Sequence, residues 1–570
     1  MRVNPCRLTA VVVFASAVAL PGCSTPDERS RSGAAFADLV VINANVLTVD
    51  DRFSKAQAFS VVAGRFGAVG DAAAIRRYAG PSTRVIDAGG RTVIPGLADG
   101  HLHNAGGGPG VDLSRVRTLD DLLAKVAERI AVSKPGELVV SNNDWHEAQL
   151  KEQRLPLRRD LDRIAPNNPV VLVRGGHQFI VNSAALSRWN ITKDTPVPAG
   201  GAIPRYSDDE LNGELVNNAR QLVALPPPAQ LRREDLTAMV RKLHRAGLTS
   251  IRVPGNPNPA AEWTLWKELK DRGELDIRVN FLFRIYDFTD AAKVRAQVES
   301  WNVKPDEGDE WLRVGGIKTL VDGGFEGGWM REPYLEPYGR GGTYRGINVV
   351  PQRMYLPVIS ELNRMGWRVT THVVGDAAID MVLDSYEKVN AETPISGRRW
   401  MLEHAFIARP DHFPRMKALG LQLAVQNHLY LAGPSLVKYW GPERAARTTP
   451  VRDFLEQGFV VAGGTDSPVI PYPPMWAFYH FVTRGTISAG PLGLDQRISR
   501  EAALRLFTSD YARFTGEERI KGSIAVGKVA DFVVLSDDPM TVADDRIEGI
   551  EALLTAVGGK VVFAKDGVRL

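Results

Sequence analysis

Cysteine is nearly missing from this chain of 570 residues: only Cys6 and Cys23 occur, both at the extreme N-terminus. An internal disulfide is therefore excluded once a leader is removed, and so is a thiolate as catalytic group or metal ligand. Long runs of like charge are also missing. The formal net charge is +4 with no basic stretch, which argues against a nucleic-acid partner. No apolar run is long enough to span a bilayer, the longest being Leu8–Leu20. No internal repeat occurs, and the single biased segment follows Cys23. What remains, 44% hydrophobic and 24% charged residues, suits a globular protein with a large core.

The N-terminus carries Arg2 and Arg7, then the short apolar run, then Leu20-Pro21-Gly22-Cys23. This order resembles a bacterial lipoprotein signal, with residues 1–22 as signal peptide and Cys23 as the lipidated first residue. Residues 23–37 read as a flexible tether. The expected location is outside the cytoplasm, lipid-anchored on the periplasmic or cell-surface side of a membrane. An ordinary cleaved signal peptide with an accidental cysteine is the alternative.

Residues 38–93 alternate and carry Gly, Asn and Asp turn signals, as do residues 520–570. Between them strands and helices alternate. TLDDLLAKVAERIAV (118–132) is helical in period, with Thr118 as N-cap, and LTAMVRKLHRAG is a helix closed by Gly247. PVVLVRGG, IRVNFLFRI, VGGIKTLVDGG, WRVTTHVVGD, RRWMLEHAF, LQLAVQ and FVVAGGTDS read as strands. Such alternation over about 400 residues predicts an α/β fold with a closed (β/α)₈ barrel. The barrel, residues 94–519, is then an insertion into one small β-sandwich built from both chain ends, 38–93 and 520–570.

His101 and His103 stand at i and i+2 in VIPGLADGHLHNAGGG. In an extended segment both imidazoles share a face and could hold one divalent ion; an exposed or hydrogen-bonded pair is the bland alternative. Downstream, His372 closes RVTTH, His404 closes WMLEH, and Asp466 follows FVVAGGT. Each sits at the C-terminal end of a predicted strand, and in a barrel those ends converge on one mouth.

With PGLADGHLH, GGHQFIVNSAAL, GGAIPRYSDDELNGEL, GIKTLVDGG, THVVGDAA, LEHA, GGTDSP and GSIAVGKVADFVVL in this order, the chain resembles the amidohydrolase superfamily, and within it amidohydrolase family 3 of the YtcJ-like group. The resemblance covers nearly the whole chain after Cys23. It implies a metal-dependent hydrolase for non-peptide C–N bonds, such as an N-acyl, N-formyl or cyclic amide, with a small-molecule amide as substrate. It implies two divalent ions, zinc favoured over manganese or iron. His101 and His103 would bind the more buried ion, and His372 and His404 the second. Lys318, carboxylated, would bridge the pair, though a plain buried or ion-paired lysine, for instance with Asp322, stays open. Asp466 would contact the first ion and act as general base, taking a proton from the attacking hydroxide and passing it to the leaving nitrogen. His177 would stabilise the oxyanion or make a structural bond near a turn; Trp145 and Trp329 would line the pocket or pack against the core. Asp376 would orient His372 or cap the following helix. His146, His244, His412, His428 and His480 match no motif position and read as structural.

Two positions depart from the group's pattern. Asp322-Gly323-Gly324 replaces Asp-Gly-Ser, and Met401 stands where an arginine precedes the Glu of LEH. Both bear on the substrate pocket. The rival readings are a single-metal deaminase of the same superfamily, which needs no carboxylated lysine, and a non-catalytic binding lipoprotein.

Overall fold

The computed structural model describes residues 36–175, 178–198, 201–226, 230–336 and 338–568. The signal, Cys23 and most of the tether lie outside the described residues, as does His177. Among the described residues no helix is long and apolar enough to cross a membrane.

Eight parallel strands form the barrel: β1 (Leu97–Asp99), β2 (Leu248–Val253), β3 (Arg278–Arg284), β4 (Leu312–Leu320), β5 (Val369–Val373), β6 (Met401–His404), β7 (Gln422–Gln426) and β8 (Val461–Gly464). Each pairs with the next in chain order. The seam between β8 and β1 is stitched by the Gly100 N–H on Gly463 O at 2.8 Å and the Asp466 N–H on His101 O at 2.7 Å. Asp99 reinforces it. Its carboxylate accepts from the backbone N–H of His101 and of Thr465, and from the Thr465 hydroxyl at 2.6 Å.

The connecting helices follow the apolar spacing. Arg233–Arg245 buries Leu236, Val240 and Leu243, three and four residues apart, and stops before Gly247, which lies at φ +82°. Leu119–Ala131 is capped as expected, with Thr118 Oγ1 accepting from the Asp121 N–H.

One strand differs from its expected place. Val170–Arg174, read as part of the alternation, is not a stave of the barrel. It pairs antiparallel with Gln178–Val181 inside a separate five-stranded sheet. The physical reason is the short return: a parallel stave needs a crossover of a dozen or more residues, and only an antiparallel partner can follow so soon. This sheet is an excursion between β1 and β2.

Of the remaining two sheets, the four-stranded one uses strands between Leu39 and Asp87 alone, and the six-stranded one joins strands from both ends. In the six-stranded one, Thr92–Pro95 pairs antiparallel with Phe532–Leu535. The two ends share one core, where Phe59 meets Phe66 and Phe532 at ring-centroid distances of 5.2 and 5.0 Å. Arg278 of β3 ties this layer to the barrel through two hydrogen bonds to the Asp531 carboxylate, both groups being buried.

Candidate active site

His101 and His103 follow β1 on a bent stretch of chain, one on each side of the bridge that Leu102 makes to Ser467. The Leu102 N–H bonds to Arg252 O and the His103 N–H to Ser467 O, so both rings face the barrel mouth while Leu102 is buried on the other side. The other predicted groups arrive from strand ends: Lys318 from β4, His372 from β5, His404 from β6 and Asp466 just past β8. Asp466 Oδ1 lies 3.3 Å from His101 Nε2 and 3.3 Å from His103 Nε2. Donor atoms of His101, His404 and Asp466 all lie within 4.8 Å of one another, and all three residues are buried. The His404 ring is 4.9 Å from that of His101 and 4.7 Å from that of His372. His404 and Asp466 sit at φ +71° and +60°, a sparsely used backbone region for such residues that clusters at functional sites.

Three of the four rings have one nitrogen committed to a partner outside the cluster. His101 Nδ1–H donates to Glu403 Oε2 at 2.5 Å, His404 Nδ1–H to Gln426 Oε1 at 2.6 Å, and His372 Nε2–H to Gly323 O at 3.2 Å. The opposite nitrogens, Nε2 of His101 and His404 and Nδ1 of His372, keep their lone pairs for a ligand. Burial and the nearby Lys318 hold the His101 imidazole down to about 4 and that of His372 to about 3, so both rings are neutral. Burial would raise the Asp466 carboxyl, but His101 and hydrogen bonds from His103 and His428 outweigh it and hold it well below the usual range. Neutral imidazoles plus an anionic oxygen are the donor set a divalent transition ion takes, so these residues fit a metal.

Lys318 is buried, and burial, aided by Arg284 and Arg252 against the pull of Glu403, lowers its amine to about 7. Asp322 is not its partner. The Asp322 carboxylate accepts from the backbone N–H groups of Trp329, Val374 and Gly375. Asp376 does not orient His372 either; it accepts from the Arg331 N–H and pairs with Arg409.

A cavity of about 410 Å³ opens over the cluster. Its wall is mostly apolar and aromatic, with Trp145, Phe325, Phe406, Leu320 and Val374 among the lining residues. The Trp145 indole N–H bonds to Val173 O, which fixes the ring. Trp329 does not line the cavity; it packs half-buried against the barrel core.

Several residues escaped the sequence reading. Glu403, fully buried, orients His101 and is itself held by Arg252 and by the Thr370 hydroxyl. The cation beside Glu403 thus comes from β2, and Met401 lies beneath it with its sulfur 3.3 Å from Arg252 Nη2. His428, read as structural, donates from Nε2 to Asp466 Oδ2 at 3.0 Å and lines the cavity between Phe325 and Phe406. His146, also read as structural, lines the cavity beside Trp145 and meets Arg174 through Nε2. For Gln426 the signal was available: it closes an apolar strand, as His372 and His404 do.

The sequence profile described as "Amidohydrolase family" matches residues 84–563. The N-substituted formamide deformylase of Arthrobacter pascens is 31% identical over 553 residues, covering 93% of this chain and 99% of that protein. The putative amidohydrolase YtcJ of Bacillus subtilis (strain 168) is 27% identical over 505 residues, covering 86% of this chain and 92% of its own length. An uncharacterized metal-dependent hydrolase from Pyrococcus horikoshii OT3 shares the fold with a TM-score of 0.64 at 22% identity, over 89% of this chain and 99% of that one. With a match that runs through the barrel and into the terminal strands on both sides, the chain belongs to the amidohydrolase family.

Proposed function

We propose that the protein hydrolyses the C–N bond of an N-substituted formamide or a close N-acyl relative whose nitrogen substituent is apolar. The carrying observation is the buried convergence of His101, His404 and Asp466 beneath an aromatic cavity. The formamide part rests on the Arthrobacter relative; the apolar substituent rests on the cavity wall.

His101, His103 and Asp466 would hold one divalent ion and His372 and His404 a second, with a carboxylated Lys318 serving both. Ions held there supply a Lewis acid for the carbonyl oxygen and water acidified to a pKa of about 7. Asp466 takes the proton of the attacking water and delivers it to the departing nitrogen, which leaves as a neutral amine. His428 steadies the Asp466 carboxylate through Oδ2, leaving Oδ1 toward the imidazoles. Lys318 contributes a readily deprotonated amine, the form that adds carbon dioxide. Phe325, Phe406 and Trp145 exclude water from the nitrogen substituent.

The test is release of formate or acetate from a series of N-alkyl and N-aryl formamides and acetamides by protein loaded with zinc in bicarbonate, with metal per chain measured alongside. Two ions and faster cleavage of formamides with larger apolar substituents support the proposal. One ion, with ammonia released from amino-heterocycles instead, would replace it with the deaminase reading. Asp466→Asn should retain metal and lose turnover by about a hundred- to ten-thousandfold, the scale of losing an acid–base group. Lys318→Ala should lose at least one ion.

A further inference from the structure

At the end of the barrel opposite His101 and Asp466, the segments entering β4, β5 and β6 enclose a cavity of about 180 Å³. Three arginines line it. Arg368 immediately precedes β5, and Arg398 and Arg399 precede β6. The one carboxylate in the lining is Asp306, which pairs with Arg368 and lies 3.9 Å from a fourth cation, Arg313. Four guanidinium groups thus gather around a single exposed carboxylate, which pairs with Arg368 and Arg313.

The partners of these groups leave the charge unbalanced. Arg398 donates to the neutral side chain of Asn363. Arg399 is half-buried and has no hydrogen bond or ion pair among the described residues. The Arg368 side chain is only 11% exposed. Burial lowers its pKa, and the positive neighbours Arg399 and Arg313 add to this against the pull of Asp306.

The backbone makes room for this arrangement. Gly316, at φ +127°, sits at an irregularity in the pairing of β3 with β4, and a Cβ there would come within 2.5 Å of Arg368 Cγ. Gly516, at φ +75°, has the Arg399 guanidinium against it, and a side chain there would have to displace that group. Arg399 itself is held at φ +54°. The hydrolysis assigned to the other face uses none of these groups, and clustered like charges oppose folding unless something offsets them.

We propose that this cavity at the floor of the barrel binds a compact oxyanion of the phosphate class through Arg368, Arg398 and Arg399. Planar guanidinium forks match a tetrahedral oxyanion by paired N–H donors. The volume lies below that of pockets for drug-sized ligands, so the occupant is a free phosphate or the head of a monoester rather than a nucleotide.

The test titrates inorganic phosphate into metal-loaded protein at constant ionic strength and follows heat and thermal unfolding. One saturable site per chain is expected, weakened about tenfold in Arg399→Gln, the scale of one charge-assisted hydrogen bond, and abolished when Arg398→Gln is added. Arg399→Lys should retain part of it. Because Arg399 has no partner to orphan, Arg399→Gln should unfold at the wild-type temperature without phosphate, whereas adding Arg398→Gln also removes the bond to Asn363. Binding that survives in the double variant but vanishes on removing the metals belongs to the active site and overturns the proposal. Absence of saturable binding to phosphate and to anionic phospholipid vesicles overturns it too. Vesicle binding that needs Arg399, with no response to free phosphate, assigns the oxyanion to a lipid headgroup.

Discussion

A buried imidazole is a good ligand only if the right nitrogen is bare and the ring stays neutral, and both conditions are set by neighbours. At His101 the acceptor is Glu403, pinned in turn by Arg252 and Thr370. Glu403→Gln keeps the volume but removes the charge that stabilises the Nδ1–H tautomer and leaves Arg252 buried without its anion. Losing such an outer partner lowers metal affinity by about ten- to a hundredfold. Competition against a chelator of known affinity measures it, and an unchanged affinity would mean that Glu403 serves only the fold. The second condition carries a pH signature. His101 is held down to about 4 and His372 to about 3, chiefly by burial. A lowered histidine pKa favours the neutral, ligating form, so protons compete with metal only as pH falls toward that range and not near about 6.5, as for ordinary imidazoles. Metal per chain, measured after equilibration at stepped pH, should hold from about pH 8 to about pH 5 and fall below that. Half-loss near about 6.5 would contradict the burial argument.

The sequence showed the staves of the barrel better than what hangs between them. From β4 to β7 each apolar run is followed by a helical period before the next strand (PVISELNRMG, AAIDMVLDSYEKVNAE, HFPRMKALG and VRDFLEQG), an order that favours parallel pairing. Val170–Arg174 looks the same in sequence because an apolar strand does not announce its partner; the early return at Gln178 was the overlooked clue. The helix His428–Trp440 was missed because it is buried nearly all round and carries Pro434, so it lacks the two-sided pattern that marks a helix. With it went His428. Of the six proposed ligands, His372, His404 and Asp466 were legible as polar groups closing apolar strands and His101 and His103 by their spacing, whereas Lys318 was pointed to only by the resemblance; Glu403 lay within LEHA but its partner was 302 residues away. The excursion between β1 and β2 has its own anchor. Arg174, at the end of its strand, makes two hydrogen bonds to Glu147 and pairs with Glu326, and Arg174 and Glu147 are both buried. Although burial opposes it, Arg174 holds the Glu147 carboxyl down to about 2. This lowered value means the pair stabilises the fold above about pH 4.5, and the contribution disappears as pH falls toward about 2. Arg174→Ala leaves Glu147 charged and unpaired, at a cost of about 3–5 kcal/mol at neutral pH. Adding Glu147→Gln should restore much of that. Denaturant melts of the two variants decide it, and metal content should be unchanged in both, since Arg174 touches no ligand.

At the scale of the whole molecule, the parts divide along the chain. The first described strand, Leu39–Ile42, lies in the four-stranded sheet and pairs with Ala58–Val62 and Arg84–Asp87, not with the barrel. The cluster of His101, His404 and Asp466 sits at the opposite kind of place, the C-terminal ends of barrel strands. We propose that Cys23 carries a lipid and holds the protein to a membrane outside the cytoplasm. In that case the anchor sets where the enzyme works and not how. The two roles separate in one variant. Cys23→Ser removes the only acceptor for the lipid while changing nothing described in the barrel. The variant should move from the membrane fraction to the soluble one and lose the mass of the lipid on its N-terminal peptide. It should keep wild-type kcat and KM on a small soluble formamide, because the cavity wall and the ligand set are untouched. An unprocessed N-terminus with no lipid in the wild-type protein would leave Cys23 an ordinary residue of a leader. A lipidated wild-type protein whose Cys23→Ser variant loses turnover in solution would mean that the membrane takes part in closing the site. The apolar rim at Val349 and Val469, both exposed and both lining the cavity, is where that contact would be made.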